Sequence, residues 1–323
     1  MGEGRINVAI TVSGVLALRR STMAAFCFGN TTLLKSLWAG FFRRAPRAEP
    51  EHRDLSAALA MREAGIRASL GEIAAASALC KEVLGLDRNH HAARLLWAQL
   101  ELPGEHYLKL LTRLHHHLQP ASYLEVGVFK GASLRLPLPD TRVIGVDPAP
   151  QLDGAVGLNT RVYKLTSDDF FSQHDVHAEF GGRPVELAFI DGMHSFDTAL
   201  RDFIQIERLA TPASTILIHD CYPQDRITAQ RERVTTFWSG DVWRLILVLQ
   251  KYRPGLKVFT IGSWPTGLGL VRNLDPHSRV LGDRYDEIVT EFMAYDYSEI
   301  KDHKARMLNL IPNDWDRISA LLD

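Results

Sequence analysis

Five short apolar segments, at 123–126, 142–146, 161–165, 187–190 and 215–218, constrain this chain more than any other feature. They are rich in Val, Ile and Leu and do not alternate with polar residues, so each would be apolar on both faces. Such runs fit strands of a parallel sheet covered on each side by helices. The segments between them read as helices or loops, which gives a βαβ rhythm. The expected fold class is α/β, with a doubly wound, mostly parallel sheet preceded by a small α-helical segment. Segments 256–261 and 266–274 read as two further strands, and the tail at 275–323 as helical.

Three parts are expected along the chain: 1–50, 51–103 and 104–323. Residues 7–18 are apolar and followed by Arg19 and Arg20, and no acidic residue occurs between Glu3 and Glu49. A run of twelve is too short to span a bilayer, which takes ~20 residues, so no stable membrane span is expected. The pattern resembles a transit peptide or a poor signal peptide. A plain extension, or a start at Met23 or Met61, accounts for it as well. Residues 54–67, 71–84 and 90–102 read as helices. Leu86-Asp87-Arg88-Asn89, with small residues at Ala64 and Ala76, resembles the turn and small-residue positions of a tetratricopeptide repeat, with Arg88 where that family has proline. About one and a half repeats do not stabilise themselves. These helices are therefore expected to pack on the main domain or on a second subunit, as a protein-partner or homo-oligomer surface.

The net charge of −1 over 323 residues gives no electrostatic argument for nucleic acid or for an anionic membrane. Three cysteines, Cys27, Cys80 and Cys221, lie far apart and form no CxxC pair. Neither a disulfide framework nor a cysteine zinc site follows, and a reducing cytoplasm is the expected location.

Ligands of doubly wound sheets bind beyond the carboxyl ends of the strands, so the residues just after each strand matter most. After the first comes Glu125-Val126-Gly127-Val128-Phe129-Lys130-Gly131-Ala132-Ser133. Gly127 permits a sharp turn, and Gly131 a close approach by a ligand or helix. Asp147 follows the second strand, twenty residues past Gly127, where a carboxylate can accept both hydroxyls of a ribose. A GxGxxG dinucleotide turn is absent, since Phe129 stands at the middle glycine position. A carboxylate two residues before the first glycine suits a cationic ligand better than a pyrophosphate. Asp168 and Asp169 follow the third strand, either beside a base or as an N-cap. The fourth strand ends Asp191-Gly192-Met193-His194, with His194 as a general base or as a residue packing on the next helix. The fifth ends His219-Asp220-Cys221. The aromatic stretch 235–244 could close on a substrate or pack, with Asp241 as N-cap of the helix after it. His115-His116-His117 cannot share one helix face and reads as structural.

The E-x-G-x-x-x-G-x-S turn with the DGxH strand end resembles the class I S-adenosylmethionine-dependent methyltransferases over roughly residues 104–274, close to the catechol-type and macrocin-type O-methyltransferases. The resemblance implies that Glu125, Gly127, Gly131, Ser133, Asp147, Asp168 and Asp191 line the S-adenosylmethionine site. It implies His194 as base, with Asp191 and Asp220 holding the acceptor or Mg²⁺. Cys221 stands where a second adjacent oxygen ligand is usual, and a thiol suits Mg²⁺ poorly. Asp191 and Asp220 could hold Mg²⁺ with water, or His194, His219 and Asp220 could form a metal-free acid–base site or bind a softer ion. The acceptor expected by analogy is a hydroxyl on a sugar or small metabolite. A non-catalytic nucleoside-binding module and an enzyme resembling the cephalosporin hydroxylases, which share the sheet and the DGxH motif, are the alternatives.

Overall fold

A computed structural model describes residues 50–322, so the expectations about 1–49 lie outside the described residues. Residues 51 onward form one compact unit. Helices α1 (Pro50–Ser69), α2 (Ile73–Leu86), α3 (His91–Glu101) and α4 (Tyr107–Leu118) lead into β1 (Ser122–Val126). Then come β2 (Arg142–Val146), β3 (Thr160–Tyr163), α5 (Ser167–Gln173), α6 (Val176–Glu179), β4 (Leu187–Ile190), α7 (Phe196–Arg208) and β5 (Thr215–His219). The chain closes with α8 (Trp243–Tyr252), β6 (Lys257–Ile261), β7 (Leu268–Arg272), α9 (Val280–Asp283), α10 (Tyr285–Met293), α11 (Lys304–Met307), β8 (Leu310–Ile311) and α12 (Trp315–Leu322). Among the described residues no helix is long and apolar enough to cross a membrane.

The strands form one eight-stranded sheet in the order β3-β2-β1-β4-β5-β7-β6-β8. It is the expected α/β doubly wound, mostly parallel sheet, with β7 antiparallel to both β5 and β6. The two-faced burial is as the sequence implies for β1, β2, β4 and β5, but not for the edge strand β3, whose residues are half-buried or exposed. Leu124, Val126, Ile144, Ala188, Ile190 and Ile218 pack on one side against α7 and α8. Tyr123, Val143, Leu187, Phe189 and Leu217 pack on the other against α4 and α12. Along α7, Phe196, Leu200, Phe203 and Ile206 lie on one stripe and are all fully buried, each contributing about 2 kcal/mol by area.

Two expectations change, and the first connection, read as helix or loop, is a loop. The interval between β1 and β2 holds only a single 3-10 turn, Ser133–Arg135. Pro137 and Pro139 in this interval oppose a longer helix. The tail is helical but also supplies β8, parallel to β6; two residues are too short for any periodicity to register. Asp241 does not cap the helix it precedes. Its Oδ1 accepts the backbone N–H of Phe196 at 2.7 Å, which starts α7.

The helices before the sheet have a small core of their own around Ala64, Cys80, Val83 and Trp97. They dock on the α/β layer through polar groups. Arg94, 1 % exposed, donates to Asp225 at 2.6 Å, and Gln224 Nε2 donates back to the Arg94 carbonyl at 2.7 Å. Asn89 accepts the backbone N–H of Thr236 at 3.0 Å. From the other end of the chain, Lys304 donates to Glu101 and to the Pro223 carbonyl, both at 2.6 Å. The loop after β5 is thus gripped by α3 and by α11. His115 of the histidine run is buried edge-on to Tyr123, and burial holds its imidazole down at about 4.

Arg94 is buried and Asp225 is half-buried, so removing the arginine leaves a partly solvated charge without its donor, which costs about 2 kcal/mol. Arg94→Ala is therefore expected to lower the denaturation midpoint by an equivalent amount and to speed protease cleavage within 224–238. Arg94→Lys should recover part of both. An unchanged midpoint would mean that the docking contributes nothing.

Candidate active site

The registers bring four strand ends level: Val126 pairs with Val146 and with Ile190, and Ile190 with Ile218. The chain runs outward from β1 to β2 and β3, then returns to β4 on the opposite side, so a crevice opens between β1 and β4. Gly127 stands at its mouth with φ 91°, and a Cβ there would lie 2.0 Å from the Asp191 carbonyl oxygen. Only glycine lets the two strand ends approach this closely.

Asp191, His194, His219 and Asp220 converge beyond β4 and β5. His219 Nδ1 is 3.0 Å from Asp191 Oδ1 and 3.6 Å from Asp220 Oδ1. His194 Nδ1 is 2.8 Å from Asp220 Oδ2, and its Nε2 is 3.7 Å from Asp191 Oδ1. The His194–Asp220 approach lies off the line of a hydrogen bond, so these two buried atoms have no hydrogen-bond partner. Burial alone would lower the His194 imidazole, but the charges of Asp220 and Asp191 overcome it and hold it at about 9. His219 is likewise buried, yet Asp191 and Asp220 push it well above the ordinary imidazole value. Burial would raise Asp220, and the two imidazoles instead hold it well below the usual carboxylate range.

The backbone is strained at this cluster. His194 and Asp220 adopt left-handed φ values of 52° and 61°, and Phe129 across the crevice one of 45°. Such strain in non-glycine residues costs of order 1 kcal/mol each and collects at functional sites. A Cβ on Gly240 would lie 1.8 Å from the His194 carbonyl oxygen, so the loop that covers His194 needs glycine there. Trp238 of that loop stacks on the His194 ring at 5.2 Å and 10°. Trp243, by contrast, is fully buried packing. Within the aromatic stretch, Trp243 thus packs as expected, and Trp238 covers His194.

The glycine turn holds the remaining acids in a way the sequence did not suggest. Glu125 is fully buried, accepting from Tyr123 Oη at 2.6 Å and Ser133 Oγ at 2.7 Å. It supports the turn from beneath instead of facing the crevice, and burial raises its carboxyl to about 8. Asp147 Oδ2 accepts the backbone N–H groups of Val128 and Phe129 at 2.9 and 2.8 Å, and its Oδ1 that of Ala149 at 2.7 Å. Gly131 is approached by Leu152, not left open: a Cβ would lie 2.7 Å from the leucine Cδ2. Asp168 stands apart and pairs with Arg201 at 3.1 Å. The N-cap of α5 is Thr166, whose hydroxyl oxygen accepts the Asp169 N–H at 3.1 Å. Cys221 turns into the core and donates to the Ile218 carbonyl.

Sequence reasoning missed Tyr107 and Thr266. The Tyr107 ring lies 4.2 Å from that of His219, and Thr266 Oγ1 is 3.4 Å from His219 Nε2. Tyr107 starts the helix before the sheet and Thr266 begins beyond β6, so no spacing along the chain links either to the motif.

The buried Glu125 carboxyl makes a pH-dependent contribution. Its folded value of about 8 lies above the ordinary 4.5, so folding favours the protonated form. That stability is present below about pH 4.5 and is lost as pH rises through about 8. Glu125→Gln is expected to melt near the wild-type temperature at pH 5 and above it at pH 8.5. A difference between the two proteins that does not change with pH would contradict this.

The family model of a methyltransferase domain matches residues 124–221. No curated protein matches the chain. Among solved structures, the chain is similar to cofactor-bound Rv0187 from MTB, with 20% identity, 52% of this chain and 79% of that chain covered, and a TM-score of 0.41. The O-methyltransferase TomG from Streptomyces achromogenes, in complex with SAM, is 17% identical over 52% of this chain and 80% of that chain, with a TM-score of 0.41. An O-methyltransferase from Bacillus cereus in complex with SAH is 16% identical over 61% and 97%, with a TM-score of 0.39. The matched stretch runs from β1 through Cys221 and carries the glycine turn, Asp147, Asp191, His194, His219 and Asp220. Residues 124–221 thus match the model of a methyltransferase domain, and they lie on the doubly wound α/β sheet.

Proposed function

We propose that this protein transfers a methyl group from S-adenosylmethionine to a hydroxyl oxygen of a small-molecule or glycan acceptor, with His194 as the general base. The observation that carries this reading is the His194–Asp220 pair beside Asp191, within the stretch that matches the methyltransferase domain. S-adenosylmethionine supplies a methyl carbon on a positively charged sulfur, and its ammonium is a second positive charge. An acidic mouth with Asp147 and Asp191 on the strands flanking β1 suits such a cation. Asp147 spends three of its roughly four acceptor sites on backbone N–H groups, which leaves about one for a ribose hydroxyl.

A hydroxyl becomes a useful nucleophile as its proton leaves. In its neutral form, the minor one until the pH approaches about 9, His194 takes the acceptor O–H proton on Nε2. The oxygen forms its bond to the methyl carbon as the carbon–sulfur bond breaks, and the sulfur leaves as a neutral thioether. Asp220 facing Nδ1 stabilises the imidazolium that results. The chain's other task is alignment of acceptor oxygen, carbon and sulfur in one line. Exposed Phe129 and Met193, with Trp238 over His194, offer apolar surface at the mouth for the acceptor body. A protein-partner or oligomer surface on α1 and α2 belongs to the same proposal.

His194→Ala is expected to reduce turnover by about 10²–10⁴-fold and to leave calorimetric affinity for S-adenosylmethionine within a few fold. Turnover that survives unchanged removes His194 as the base. Binding of NAD with no binding of S-adenosylmethionine removes the whole reading.

A further inference from the structure

Mg²⁺ prefers a near-octahedral set of oxygens, and a carboxylate or amide beside Asp220 would supply one. Here the next residue is Cys221, and the fold takes it away. Its thiol is fully buried and donates to the Ile218 carbonyl at 3.2 Å. It packs where a Cβ on Gly269 would come within 2.9 Å of the sulfur. The preceding residue takes the place instead: one ligand atom each from Asp191, His219 and Asp220 lies within 4.8 Å of the others. Donors about 2.1 Å from a shared ion are themselves about 3–4 Å apart, so a small inward movement closes this set.

Two further observations point at an ion. Asp220 Oδ2, on a side chain only 3 % exposed, has no donor in line with it, and neither does His194 Nδ1. The His219 ring is also fixed as metal-bound imidazoles are. Tyr107 packs on it at 4.2 Å, and its Nε2 faces Thr266 Oγ1 at 3.4 Å, which leaves Nδ1 turned to the two carboxylates.

We propose that Asp191, His219 and Asp220 bind a borderline divalent transition ion, of the zinc, cobalt or manganese type, in preference to Mg²⁺. An imidazole in the set selects such ions over hard ones. His194 is not one of the three ligands. Bound there, the ion supplies Lewis acidity to an acceptor oxygen. The inference deepens the methyl-transfer reading, yet it is tested without turnover.

The full chain, stripped with chelator, is titrated with Co²⁺ as a visible probe and with Zn²⁺ and Mg²⁺ by calorimetry. The expected result is a set of d–d bands without an intense thiolate band, and Zn²⁺ affinity at least about 100-fold above that for Mg²⁺. Asp191→Asn, at a half-buried position that should fold, and His219→Ala should each weaken Co²⁺ binding by at least about tenfold. Cys221→Ser should leave the bands unchanged. A silent wild-type spectrum, a thiolate band lost in Cys221→Ser, or Mg²⁺ bound as tightly as Zn²⁺ overturns the proposal. Co²⁺ bands in a protein that fails to bind S-adenosylmethionine would instead remove the methyl-transfer reading and leave the metal site standing.

Discussion

A carboxylate with 3 % of its surface exposed has to be paired, and much of this structure follows from pairing Asp220. An unpaired charge at that depth costs several kcal/mol. Each oxygen faces a different imidazole, Oδ1 that of His219 at 3.6 Å and Oδ2 that of His194 at 2.8 Å. His219 is its sequence neighbour. His194 must arrive from the end of β4, and the backbone reaches that place only with a left-handed turn at φ 52°. That turn points the His194 carbonyl at the covering loop, where only a glycine fits. One buried charge therefore sets requirements on three separate segments.

The outlying parts of the chain act on the same loop. Residues 220–242 connect β5 to α8 and lack regular structure. They are held instead by Arg94 from α3, Lys304 from α11, and the Asp241 side chain, which caps α7. The helices before the sheet and the tail behind it thus brace the wall of the crevice that carries Trp238. A long connection needs this bracing, because its own backbone groups cannot form a ladder.

The sheet was legible because burial on both faces leaves continuous apolar runs, and no other common element of four to six residues does that. Each strand expected from such a run is present, and the acids after them fall level because the parallel register aligns the strand ends. What could not be read is what depends on side chains meeting across the fold. Glu125 precedes a glycine turn much as a ligand-facing acid would, but Tyr123 lies on the same sheet face two residues earlier and Ser133 closes over it. Asp241 sits at a helix start and caps another helix, a choice made by tertiary proximity alone. Tyr107 and Thr266 reach His219 from segments separated from it by 112 and 47 residues in the chain.

The same side-chain meetings decide how four acids at one end of the sheet avoid repelling each other apart. Glu125 is kept protonated by burial, and Asp147 is tied by three backbone N–H groups. Asp220 is matched by two imidazoles. Asp191, with 21% of its side chain exposed, faces His219 at 3.0 Å and His194 at 3.7 Å. The negative charge at the mouth therefore comes mainly from Asp147 and Asp191, on either side of β1, the half that suits the cationic donor on the methyl-transfer reading. His194, the proposed base, lies at the other half, past β4. Three strand spacings of about 4.8 Å separate β2 from β5, roughly 14 Å in all. That span has room for a nucleoside at one end and an acceptor hydroxyl at the other, with the methyl group between them above Asp191. On the methyl-transfer reading, the order β2-β1-β4-β5 is then itself the axis along which the group moves, and Asp191 is the one acid both substrates must pass.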